Sequence, residues 1–115
     1  MASKFFLVHH TFKPGMAEKW WANMENYDET KQIIHQEYQS KTGVYCHSFM
    51  PTSKEGPMFC IWEAKKGVSD SEFQNFIDGP NAIGVHMGLD HPLNNHCQKI
   101  DHDLIGGEGP YPRRF

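Results

Sequence analysis

A chain of 115 residues with a formal charge of −3 has room for one hydrophobic core and lacks the basic footprint that nucleic-acid binding needs. Hydrophobic residues make up 38% and aromatics 13%, enough for a globular domain whose Phe, Tyr and Trp compensate for scarce aliphatic side chains. No apolar run approaches the ~18 residues of a membrane span, and the Phe5–Val8 run is too short for a secretory signal, so a cytoplasmic protein without membrane contact is expected.

In chain order, residues 4–12, KFFLVHHTF, are rich in aromatic and β-branched types and stop at Lys13-Pro14-Gly15, which predicts a strand closed by a turn. From Met16 the spacing becomes helical. Trp20, Met24, Tyr27, Lys31, Ile34 and Tyr38 recur on one face of a helix running to about Ser40, with a kink or restart at Asp28-Glu29-Thr30 and a glycine cap at Gly43. Residues 44–50 and 58–64 read as two strands joined by the turn-rich PTSKEG, an antiparallel hairpin. Ser69 and Glu72 form a capping box for a short helix bearing Phe73, Phe76 and Ile77, ended by Asp78-Gly79-Pro80. Residues 80–95 have no clean period and read as a long loop, with a turn of helix near 85–89. Residues 96–105 are the candidate fourth strand. Residues 1–105 thus make one domain, and 106–115 a tail lying on the surface or on a partner.

The order β-α-β-β-α-β is that of the ferredoxin-like α+β fold, a four-stranded antiparallel sheet with two helices on one face. Apolar residues sit on both faces, Phe5 and Leu7 against Phe6 and Val8, Phe59 and Ile61 against Cys60 and Trp62. The helix-free face therefore needs a cover, and a second copy of the chain is the simplest one. A homodimer of twice 13.3 kDa is expected, with Tyr111 and Phe115 of the tail clasping the partner.

Two segments, FFLVHHTF and HSFMPTSKEGPMFCIWEAK, resemble the dimeric α+β barrel class of ferredoxin-like proteins. More narrowly, they resemble a small domain family of unknown function that includes a bacterial nickel-binding protein. The resemblance implies a paired barrel and a divalent transition metal. This chain has His9 and His10 where that family carries charged residues.

Histidine is the commonest metal ligand and titrates near neutrality, and the chain has eight. His9 and His10 point to opposite faces of their strand; each is either a ligand or a hydrogen-bonded structural residue. Cys46 and His47 on the second strand face Cys60 and Glu63 on the third, so soft and borderline donors for nickel, copper or zinc converge if the register allows. The candidate metal ligands are His9, His10, His47, Cys60, Glu63 and His96. His86, His91 and His96 are spaced by five, which is not the helical HExxH spacing, and read as polar loop residues or a lid. The three cysteines, Cys46, Cys60 and Cys97, have no CxxC spacing and otherwise read as small buried hydrophobes. Trp20 is expected in the core, whereas Trp21 needs a partner surface or the tail.

The leading expectation is a metal-binding homodimer. The alternative is a cofactor-independent dimeric-barrel enzyme (oxygenase, isomerase, cyclase or decarboxylase) holding a small molecule in the barrel, with His10 or His47 as general base. A purely structural dimer is the third class.

Overall fold

Strand β1 spans Lys4–Phe12, as its aromatic content predicts, in a computed structural model that describes residues 2–79, 82 and 87–115. The single helix expected from Met16 onward is two: α1, Met16–Met24, and α2, Glu29–Thr42. The cause is Asp28, whose backbone is extended and whose carboxylate accepts the N–H of Lys31 at 2.9 Å. That cap starts a new helix and offers the backbone an alternative to continuing the old one. Gly43, at φ 81°, ends α2 in the left-handed conformation that glycine adopts without strain.

This break overturns the continuous apolar stripe. Trp20, Met24 and Tyr27 do pack on the core, but Ile34 is 55% exposed and Tyr38 37% exposed beyond it. In α2 only Gln39 is buried. Trp21 finds its cover within the chain, packing edge-on to Trp20 and donating its indole N–H to Lys54 O at 2.8 Å.

The hairpin strands are β2, Val44–Pro51, and β3, Met58–Ala64. Helix α3, Asp70–Asp78, opens where Ser69 Oγ accepts the N–H of Glu72 at 3.1 Å, half of the predicted capping box. Strand β4 is Leu93–Lys99, so it begins before His96 and stops well short of Ile105. Its start follows pairing with β1, Leu93 opposite Phe12. Its end is set downstream by Asp101, whose carboxylate accepts the Asp103 N–H at 3.1 Å and turns the chain into a 3-10 turn, His102–Ile105. Of the helical turn expected near 85–89, residues 87–89 form a non-helical turn, with Met87 at φ 51° and Gly88 at φ 76°, and 85–86, His86 with them, lie outside the described residues.

The chain is therefore α+β, with one four-stranded sheet in the order β2-β3-β1-β4 and every neighbouring pair antiparallel. The element order is β-α-α-β-β-α-β rather than β-α-β-β-α-β. One face, built from Phe6, Val8, Met58, Cys60 and Trp62, packs against Trp20 of α1 and Phe73 and Ile77 of α3. Phe6 and Phe73 stack with centroids 4.2 Å apart, and burying each such ring contributes about 2–3 kcal/mol.

Part of the other face is covered by the chain itself. The C-terminal tail folds back over its own sheet. Gly109 lies so close to Phe5 that a Cβ there would sit 2.3 Å from the ring, and Phe5 is fully buried as a result. Among the described residues no helix is long and apolar enough to cross a membrane.

Candidate functional site

Register sorts the sequence-predicted site residues onto two faces. In β3, Cys60 and Glu63 are an odd number of residues apart and so point to opposite sides. In β2 a bulge between Cys46 and Ser48 inserts His47 as an extra residue. Cys46, in register with Trp62, lies with Cys60 on the helix-covered face, and His47 reaches Glu63 on the other. His10 joins the cysteines, whereas His9 and His96 share the helix-free face as direct partners across β1 and β4.

On the helix-covered face a cavity of about 330 Å³ opens between α1, α2 and the sheet. Its walls are Trp20, Met24, Phe49, Met58 and Trp62, and its chemistry-bearing groups include His10, Cys46, Cys60, Tyr27 and His35, with His47 also on its lining. This size and lining match an ordinary small-molecule site, mostly apolar with a few polar groups. The cavity lies within one chain, on the helix-covered face of the sheet.

His10 is the buried imidazole of this cavity, 1% exposed. Its Nδ1 lies 2.6 Å from Asn95 Oδ1. The Asn95 amide is oriented by its own Nδ2, which donates to Asp78 Oδ1 at 3.1 Å and to Ile77 O at 3.4 Å. An amide oxygen only accepts, so Nδ1 carries the proton and Nε2 is the basic nitrogen of the neutral ring. Nearby, burial and then Lys31 lower the pKa of His35, whose Nδ1 lies in hydrogen-bond contact with Tyr27 Oη at 2.8 Å. Burial and then the Cys46 sulfur raise the pKa of Tyr27 and keep it protonated. Cys60 donates its thiol hydrogen to Cys46, which lowers the Cys46 pKa and, together with burial, raises that of Cys60. All three cysteines are free, and burial pushes the Cys97 thiol up to about 12.

On the opposite face His47 and Glu63 form an anchor for the tail. Glu63 has no exposed surface. It accepts from Ser3 Oγ at 2.5 Å, from His47 Nε2 at 2.8 Å, and from the N–H groups of Arg114 and Phe115 at 2.8–3.0 Å. Burial alone raises its pKa, but the hydrogen bonds from Ser3, Arg114, His47 and Phe115 outweigh that and hold it below the usual carboxylate range. Tyr111 stacks on His47 with centroids 4.9 Å apart, Arg114 lies over Tyr45, and Arg113 lies over Phe5 and donates to Ser3 O. His47, expected as a base or ligand, is thus enclosed by aromatic rings and bound to a carboxylate.

Among the described residues no group of three or more His, Cys, Asp and Glu side chains is placed to hold one metal ion. Of the six candidate ligands, His9 is opposite His96, His47 bonds Glu63, and His10, Cys60 and His47 line the cavity. Sequence reasoning missed Tyr27, His35 and Asn95. Tyr27 was absorbed into an apolar stripe, and the one available signal for His35 was its position two turns along from Tyr27, at i+8, on a face left open after Asp28. A family model described as a domain of unknown function, DUF8652, matches residues 5–108. No curated protein and no solved structure matches the chain.

Proposed function

We propose that this chain, which belongs to the DUF8652 family, binds a small, largely apolar molecule in the cavity under α1 and α2 and uses His10 to move a proton on it. The observation that carries this reading is a cavity of about 330 Å³ in which one imidazole is buried and held in a single tautomer by Asn95. Nε2 of a neutral imidazole suits proton abstraction at neutral pH. The aromatic and methionine walls favour a flat ring, and Tyr27 supplies a hydroxyl beside it. Strand order and antiparallel pairing support a ferredoxin-like fold whose first crossover helix is broken in two. Three free thiols support a reducing compartment such as the cytoplasm.

The test uses one- and two-ring aromatic compounds, some with an acidic C–H beside a carbonyl, followed by amide chemical shifts. Binding should perturb Met24, Tyr27, Cys46 and Met58, and Met24→Trp, which fills the cavity, should abolish it. Bound compounds with an acidic C–H should exchange that hydrogen for deuterium, and His10→Gln should slow the exchange by about 100-fold. Perturbations confined to other surfaces, or exchange indifferent to His10, reject the reading.

A further inference from the structure

We propose that His9 and His96 form half of a transition-metal site on the helix-free sheet face, and that a second copy of the chain completes it with its own His9 and His96. This does not depend on the cavity, which lies on the other side of the sheet. The two histidines are direct partners in the antiparallel pairing of β1 and β4, where Cβ atoms are about 5 Å apart and side chains lie on one face. That spacing lets two imidazoles reach one ion. His96 is exposed and His9 half-buried, its ring held 5.1 Å from Phe59, so the pair is accessible and partly pre-oriented.

Two imidazoles leave a tetrahedral ion two ligands short. Among the described residues no third His, Cys, Asp or Glu is placed to join them. What surrounds the pair suits a second copy. Leu7, Thr11, Phe59, Ile61, Asn94 and Gln98 share this face by the register and carry no charge, so like copies meet without repulsion. Leu7, Phe59 and Ile61 are only half-buried, and Met50, opposite Phe59, is 40% exposed. The tail contacts Ser3, Phe5, Tyr45, His47 and Glu63, none of which belongs to this row. A two-fold axis through the row would bring two His9/His96 pairs around one ion, an isologous contact with four nitrogen donors. Zinc, copper and nickel all accept such a set.

The experiment takes the full chain stripped of metal by a chelator and dialysed, then titrates zinc sulfate while following heat and light-scattering mass. One zinc per two chains is expected, with the mass at saturation twice 13.3 kDa. His9→Ala and His96→Ala should each weaken zinc binding about tenfold or more, while His91→Ala leaves it unchanged. His9→Gln and His96→Gln repeat the test with side chains that keep the volume, should either alanine variant misfold. Zinc bound one per chain by a monomer, no zinc binding, or binding indifferent to both histidines overturns the proposal.

Discussion

Glu63, with none of its side chain open to solvent, accepts the backbone N–H of Arg114 through both carboxylate oxygens, at 2.8 and 3.0 Å. A carboxylate buried in this way is stable only while its donors remain, because an unpaired buried charge costs several kcal/mol. The tail is therefore part of the folded domain, and Glu63 is what holds it. Glu63→Gln turns an acceptor-only group into one with two donors facing donors, and should destabilise by about 2–4 kcal/mol. The pH dependence has a fixed sign. The folded state holds this carboxyl below its ordinary value of 4.5, so the unfolded chain binds more protons as pH falls. The stabilisation is present above pH 4.5, begins to fall there, and is gone once the folded group protonates. Urea midpoints between pH 7 and pH 3 should drop more steeply for the native sequence than for Glu63→Gln; equal slopes would dismiss Glu63 as the cause.

Gly109 sets how closely the tail approaches the sheet. A Cβ at this position meets the Phe5 ring at 2.3–2.9 Å, and Phe5 is itself fully buried beneath Arg113. Gly109→Ala should push the tail off Phe5 and cost about 1–3 kcal/mol, the usual range for overpacking. Amide exchange at Arg114 and Phe115, whose N–H groups bond Glu63, should accelerate in the same variant. Protected amides there would show that the tail accommodates the methyl by another route.

Much of the scaffold was legible because its elements obey local rules. Aromatic and β-branched content bounded by turn residues placed β1 and the hairpin, and Ser69 with Glu72 located the start of α3. The site was less legible, since it depends on register. Cys46, His47, Cys60 and Glu63 were rightly grouped on two paired strands, but alternation along each strand divides them between faces, and nothing local in VYCHSFM announces the register shift that follows Cys46. The tail was unreadable for a different reason. Gly109, Arg113 and Phe115 form no periodic pattern, and their partners Phe5, Ser3 and Glu63 lie 50 to 110 residues earlier.

The break between α1 and α2 rests on one side chain. Asp28 caps α2 through the Lys31 N–H, and α2 buries only Gln39, so tertiary packing gives it little support. Asp28→Ala should remove about 1 kcal/mol of helix stability. Because Tyr27 and His35 flank this junction and line the cavity, the loss should appear locally, as faster amide exchange in Lys31 to Gln36. Exchange that instead accelerates throughout the sheet would mean that α2 unfolds only with the whole domain.

Asn95 fixes the chemical state of His10. Its Nδ2 is committed to Asp78 Oδ1 and Ile77 O, so its oxygen faces Nδ1 of the imidazole at 2.6 Å. The neutral ring must then be the Nδ1–H tautomer, the less common one in water, with Nε2 as the base. Long-range nitrogen–proton correlation spectra at pH 7.5 should show His10 with a protonated Nδ1 and an unprotonated Nε2. Asn95→Leu removes the acceptor while keeping the volume similar. It should cost about 1–3 kcal/mol through the stranded Nδ1–H and shift the ring toward the Nε2–H tautomer. If proton transfer in the cavity runs through Nε2, the same substitution should slow it even when the domain remains folded. A native spectrum showing Nε2–H would reverse the Asn95 amide and take the basic nitrogen away from that position.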